Sequence, residues 1–85
     1  MSITGNQIKA ARALAGLNQW ELAIAANLDI NTIRNFEAWN EKIVRGRTDI
    51  LEKIHKAFSD AGVDLLDNGQ ESSGGRGVRF KGTQS

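Results

Sequence analysis

The sequence predicts a mainly α fold, with four short helices in residues 1–66 and a short C-terminal β extension. Three observations support this prediction. Apolar residues recur at helical spacing in separate runs, polar capping residues precede these runs, and after Gly62 the helical spacing gives way to short apolar stretches. We therefore expect one domain over residues 1–66, and a loop, a short strand at 78–80 and a tail within residues 67–85.

The first two helices are both predicted to begin at a capping box. Thr4 is followed three residues later by a glutamine, and Asn18 by a glutamate, so each pair can satisfy free N–H groups of a first helical turn. Helix 1 is expected to end at Gly16, a residue type that favours the left-handed conformation of a helix C-terminus. Helix 2 is expected to span residues 19–26.

The third helix is predicted to follow a tight turn. Asn27 tolerates the left-handed conformation that such a turn needs, and Asp29 can cap the helix that comes next. Helix 3 is expected over residues 30–38, with Ile33 and Phe36 facing inward. Its other residues leave a short polar face toward the outside.

The fourth helix is predicted to start at Thr48, acting as the N-cap, with Asp49 near the positive end of the helix dipole. A stripe of apolar residues follows, and Gly62 is expected to end the helix. Beyond it, residues 63–66 and 78–80 have the apolar character of two short strands.

Composition excludes several kinds of site. The 85-residue chain has no cysteine and a single histidine, His55, so a zinc site and a Ser-His catalytic site both lack partners. We expect no enzyme activity, no metal and no cofactor. No apolar run approaches the roughly 20 residues that cross a bilayer, and the N-terminus has no signal-peptide character, so we expect a cytoplasmic protein without membrane contact.

Charge is distributed unevenly along the chain, although its formal net value is only +1. Residues 1–48 are mildly basic, residues 49–75 are acidic, and basic residues return in the tail. A basic face that contacts phosphate, opposed by an acidic face, is one explanation of this pattern. Ordinary solvated charge is the other.

The second and third predicted helices have the residue pattern of two helices that are joined by a short turn and pack closely against each other. Ala23 is small where the two backbones would approach, and Leu28 can fill the turn from within. The segments Gln-Trp-Glu-Leu-Ala at 19–23 and Thr-Ile-Arg-Asn-Phe-Glu at 32–37 resemble the Cro/CI (Xre-like) repressors. The resemblance covers residues 4–66 and implies a four-helix repressor-like DNA-binding domain with a helix-turn-helix, which acts as a transcriptional regulator on double-stranded DNA.

Two positions depart from the pattern of that family. Asn27 stands where the turn usually carries glycine, and Trp39-Asn40 stands where glycine usually ends the second helix of the motif. Since asparagine tolerates the left-handed conformation, Asn40 is expected to take over this cap. The role of Trp39 stays open.

The resemblance implies that the third helix is a recognition helix, which lies in the major groove of DNA. Asn31 and Asn35 are suited to bidentate contact with adenine. Arg34 is suited to guanine or a phosphate, and Ile30 to the methyl group of thymine. The alternative for the three polar residues is a solvated helix surface, and for Ile30 it is partial burial.

Contacts with the DNA backbone are implied as well. Gln19 begins the second helix, where it would clamp a phosphate and buttress Asn31. Trp20 would either lie against a sugar-phosphate or cover Leu17. The loop before the fourth helix supplies a second anchor, unless it is only a mobile charged loop. Its cationic residues are Lys42, Arg45 and Arg47.

A single short recognition helix covers too few bases for useful specificity, so we expect a homodimer on an inverted-repeat operator. The dimer contact is expected after Thr48, through the fourth helix and the strands at 63–66 and 78–80, unless these strands close on their own domain as a hairpin. The alternative function is a protein-interaction module, such as an antitoxin, whose residues 67–85 bind a partner.

Overall fold

A short sheet follows four helices in the computed structural model, which describes residues 2–66 and 77–80. The mainly α architecture with a small C-terminal sheet is therefore confirmed. None of the helices in the described ranges has the length and hydropathy that crossing a membrane requires. The elements are α1 (Gly5–Ala15), α2 (Gln19–Ala26), α3 (Ile30–Glu37), α4 (Thr48–Asp60), β1 (Val63–Leu66) and β2 (Gly77–Phe80).

Both predicted capping boxes are present. The Thr4 hydroxyl accepts a hydrogen bond from the backbone N–H of Gln7 at 3.1 Å, and the Gln7 side chain accepts one from the backbone N–H of Thr4 at 2.9 Å. Asn18 and Glu21 form the same reciprocal pair, at 2.7 and 2.9 Å. Because each box satisfies two backbone donors that the first turn leaves free, it fixes where its helix begins.

The start of α4 differs from the prediction. Thr48 is not the N-cap but the first helical residue, and the N-cap is Arg47, which makes no side-chain capping bond. Arg47 is the last residue with an extended backbone, and helical conformation begins at Thr48. The threonine hydroxyl therefore lies within the first turn of the helix and not at the N-cap position before it. Asp49 does lie in the first turn, where its negative charge faces the positive end of the helix dipole.

Left-handed residues stand where the sequence predicts them. Gly16 and Asn27 are the C-caps of α1 and α2, with φ of 74° and 57°. Asn40 follows α3 with φ of 54°, and Gly62 follows α4 with φ of 84°. The prediction that asparagine takes over this conformation at both departures from the family pattern is confirmed.

The core lies between the four helices and the inner side of β1. The apolar stripes predicted for the helices supply most of it, including Ile8, Leu22, Ile33 and Phe58, all fully buried. The structure adds two segments that the sequence analysis did not place. Ile3 lies beside Val44, whose backbone N–H donates to the Ile3 carbonyl at 2.7 Å, and both side chains are buried. This contact joins the chain before α1 to the loop before α4.

The two strands close on their own domain. β1 and β2 pair antiparallel from Val63–Phe80 to Leu66–Gly77, and both contact α1. The Gln7 amide nitrogen donates to the carbonyls of Leu66 at 2.7 Å and Gly77 at 3.1 Å, so one buried side chain of α1 holds both strand ends. Of the two arrangements expected for these strands, the hairpin is the one present. Residues 67–76 and 81–85 lie outside the described residues.

Candidate nucleic-acid interface

The connection between α2 and α3 is a tight turn of residues 27–29. The left-handed Asn27 directs the chain back, and the backbone N–H of Leu28 donates to the Ala23 carbonyl at 2.9 Å. Leu28 is half-buried against the core, as predicted for a residue that fills the turn. Asp29 then caps α3 by accepting from the backbone N–H of Asn31 at 2.7 Å. The side chain of Ala23 is buried, which allows α2 and α3 to pack closely.

The side chains of α3 divide into a buried and an exposed set. Ile33 and Phe36 are buried, as predicted. Asn31, Arg34 and Asn35 are exposed, and their side chains form no hydrogen bond or ion pair with any residue in 2–66 or 77–80. They are therefore available as donors and acceptors for a ligand that lies along α3.

Ile30 occupies the first position of α3. It is half-buried and packs against the core, which matches partial burial, the alternative that the sequence left open for it. Part of its side chain remains accessible beside Asn31. Its packing also fixes the start of α3 against the rest of the domain.

The exposed side of α3 continues into the loop that precedes α4. Trp39 is half-buried against the core and lines two neighbouring depressions. The first begins at Asn35 on α3 and reaches Lys42, and the second extends from Lys42 past Arg45 to Thr48. Trp39, whose role the sequence left open, is therefore part of the surface that joins α3 to the cationic loop.

The cations of this loop are exposed. Lys42 and Arg45 extend from it, and Arg47 bonds to the Asp49 carboxylate through two guanidinium nitrogens at 3.2 and 3.1 Å. The Arg47 side chain is 80% exposed. Exposed ion pairs contribute at most about 1 kcal/mol, so a phosphate can compete with Asp49 for this guanidinium.

Gln19 connects the start of α2 to the end of α3. Its side-chain nitrogen donates to the Glu37 carboxylate at 3.1 Å. The expected bond from Gln19 to Asn31 is not formed among the described residues, because the amide is directed toward the opposite end of α3. Gln19 is half-buried, so part of the side chain still reaches the surface at the N-terminus of α2.

Glu37 is buried and binds Arg12 of α1, a pairing that the sequence analysis did not find. The Arg12 guanidinium donates to the two carboxylate oxygens at 2.7 and 3.1 Å, and also to the Leu17 carbonyl at 3.1 Å. The two charges are 25 positions apart, so no local pattern marks them as partners. The available signal was the position of Glu37 four residues after Ile33, which puts it on the inward side of α3, where a buried carboxylate requires a partner.

Two apolar side chains are exposed on α2. Trp20 is 60% and Ile24 is 67% accessible, and their spacing of one helical turn places them on the same side. Trp20 is thus accessible next to Gln19, where the sequence left open either contact with a sugar-phosphate or a cover over Leu17. Ile24 was not predicted as a surface residue with any role.

No cluster of metal-ligating side chains occurs in the described part of the chain. His55 is half-buried on α4. No protein-family model matches the chain, and no curated protein matches it. The similarity to Cro/CI repressors is therefore a resemblance in sequence pattern.

Proposed function

We propose that this protein is a sequence-specific double-stranded DNA-binding transcriptional regulator that represses by occupying an operator. The observation that carries the proposal is the exposed face of α3, where Asn31, Arg34 and Asn35 point outward without partners among the described residues. α3, which carries this face, is joined to the short helix α2 by a three-residue turn. A helix-turn-helix needs such an arrangement to insert its second helix into the major groove.

The exposed amides of α3 match the chemistry of base edges in the major groove. An asparagine side chain has one acceptor and one donor group, and adenine presents N7 and N6–H₂ in a matching pair. Arg34 can donate twice to N7 and O6 of guanine. Each good bidentate pair discriminates against a wrong base by about 1–3 kcal/mol.

Contacts with phosphate hold α3 in register. Gln19 at the N-terminus of α2 combines free backbone N–H groups with a side-chain amide. Beyond the end of α3, Lys42 and Arg45 line the depressions at Trp39 together with Glu41, and Arg47 follows in the same loop. Since the formal net charge of the protein is only +1, these local groups rather than the overall field supply the affinity for phosphate.

The functional unit in this proposal is a homodimer on an inverted repeat. A single α3 of eight residues covers too few base pairs for useful specificity. β2 carries Phe80, which is 60% exposed, at the edge of a two-stranded sheet. An exposed strand edge with a large apolar side chain is suited to contact with a second copy. Because β1 and β2 already pair with each other as a hairpin, the dimer contact in this proposal is the exposed side of β2 at Phe80 rather than two open strands.

This function requires no catalysis, metal or cofactor, and it places the protein in the cytoplasm with the DNA. The alternative of a partner-binding, antitoxin-like tail depends on residues 67–76 and 81–85, which lie outside the described residues. No feature of the described residues favours it over DNA binding.

The test is to select bound sites from random duplex DNA and to measure the effect of alanine at Asn31 or Asn35. Each variant should bind the selected site about 1–3 kcal/mol more weakly and accept more bases at one position, because it loses a bidentate contact. Asn6→Ala is the matched control, since Asn6 is exposed on α1, to which the proposal gives no contact with DNA. Unchanged binding by both α3 variants would exclude α3 as the recognition helix.

A further inference from the structure

Three helices meet at a single buried carboxylate. Glu37 near the end of α3 is 4% exposed and accepts hydrogen bonds from Arg12 of α1 and from Gln19 of α2. Arg12 also donates to the carbonyl of Leu17, in the connection between α1 and α2. The start of α2 is thus tied to the end of α3 through Glu37, and Glu37 is itself held by Arg12.

The chemistry of the carboxylate determines how the Gln19 amide is oriented. An ionised carboxylate only accepts hydrogen bonds, so the amide nitrogen rather than the amide oxygen of Gln19 must face Glu37. One N–H of Gln19 is used in the 3.1 Å bond to Glu37. The second N–H of the same nitrogen is left for another acceptor, because the amide group has two.

We propose that Glu37 is a positioning residue for phosphate binding. It orients the Gln19 amide so that the second N–H is presented to a phosphate of the DNA backbone at the N-terminus of α2. It also fixes this phosphate contact relative to α3. The inference rests on the proposed DNA-binding function and adds to it a buried residue that acts on DNA only through another side chain.

A positioning role differs from a purely structural role in one measurable respect. If Glu37 acts through the Gln19 amide, its loss has no further effect on DNA affinity once that amide is absent. If Glu37 only stabilises the fold, its loss weakens DNA binding by the same factor whether or not the amide is present. A double-mutant cycle separates the two cases.

The experiment compares four proteins on the selected operator: wild type, Gln19→Met, Glu37→Gln and the double variant. Methionine keeps the length of Gln19 without its amide, and glutamine keeps the shape of Glu37 but can present either end of its own amide. We expect each single variant to bind about tenfold more weakly, the size of one hydrogen bond to a charged group. The double variant should bind no more weakly than Gln19→Met alone.

Losses that multiply in the double variant would overturn the positioning role. Affinities are measured below the unfolding temperature of the least stable variant, with circular dichroism as the check on folding. If Glu37→Gln does not fold because Arg12 is left buried without its partner, the pair Arg12→Met, Glu37→Gln takes the place of Glu37→Gln in the cycle, which removes both charges together. Multiplying losses there overturn the proposal equally.

The same measurements distinguish this inference from the proposed function. A wild-type protein that selects no DNA site overturns both. A wild-type protein that selects a site, with losses that multiply in the cycle, overturns only the role of Glu37. A wild-type protein that selects a site, with weaker binding by Glu37→Gln alone and no extra loss in the double variant, supports both. Wild-type affinity in Glu37→Gln alone overturns only the role of Glu37.

Discussion

Gly5 lies where the backbone of α1 closely approaches the backbone at the end of α3. The effect of Gly5→Ala therefore follows directly from the structure. A methyl group at Gly5 would lie 2.6 Å from the Phe36 carbonyl oxygen, 2.7 Å from the Asn40 nitrogen and 2.8 Å from the Glu37 carbonyl oxygen. All three atoms belong to the backbone, so no side-chain rotation relieves the contact. The two helices have to separate instead.

The required separation sets the size of the effect. Carbon and oxygen atoms in close contact are usually about 3.3 Å apart, so the backbone near residues 36–40 has to move by roughly 0.5–0.7 Å. That movement strains the 2.8 Å hydrogen bond from the backbone N–H of Asn6 to the Asn40 carbonyl. Overpacking of this kind costs about 1–3 kcal/mol, and the lower chain entropy of unfolded alanine offsets about 0.4–1 kcal/mol. We expect a net loss of about 1–2 kcal/mol.

The assay is thermal unfolding followed by circular dichroism. For a domain of this size, each kcal/mol lowers the melting temperature by about 4–8 °C, so Gly5→Ala should melt about 4–16 °C below wild type. Gly77→Ala is the matched control, because a methyl group there meets no atom within 4 Å among the described residues. It should melt close to wild type. If Gly5→Ala melted with the control, the close approach of α1 and α3 would not be a constraint on stability.

Two further predictions concern DNA binding. Arg47→Ala should weaken binding to all sequences alike and reduce the slope of log affinity against log salt by about 0.9 for each phosphate that is no longer neutralised. Lys53→Ala removes the same charge from an exposed position on α4 to which the proposal gives no contact with DNA, so it should leave the slope unchanged. An identical slope for both variants would remove Arg47 from the interface. The wild-type protein should sediment as a dimer and bind a full operator more tightly than an isolated half-site, and Phe80→Ser should shift it toward monomer. A monomer that binds half-sites as tightly as full sites would refute the dimer.

Local features of the fold could be predicted from the sequence because their causes are local. A capping box involves residues three positions apart, and both boxes form as predicted. The left-handed Asn27 and Asn40 follow from the same kind of reasoning, since asparagine tolerates a conformation that most residues avoid. Thr48 shows the limit of this approach. Its hydroxyl suits an N-cap, which would make residue 49 the first helical residue, but the helix begins at Thr48 itself.

Contacts between distant segments could not be predicted in the same way. Arg12 and Glu37 are partners only because α1 lies across the end of α3, and Gly5 matters only because two backbones meet there. Ile3 was within reach of sequence analysis, since it precedes the N-cap Thr4 and Ile8 lies at the position where a hydrophobic staple closes. Gln19 was expected to bond to Asn31, but its side chain donates to Glu37 instead.

The two faces of α3 assign different tasks to neighbouring residues. Ile33 and Phe36 are buried in the core, while Asn31 and Asn35 are exposed and their side chains form no hydrogen bond or ion pair with the described residues. Exposed substitutions without such contacts usually change stability by no more than about 0.5 kcal/mol. Under the proposed function, the preferred operator can therefore change by single mutations while folding is left intact. A duplicated copy of this protein, or an engineered one, could then acquire a different preferred operator through few substitutions on α3.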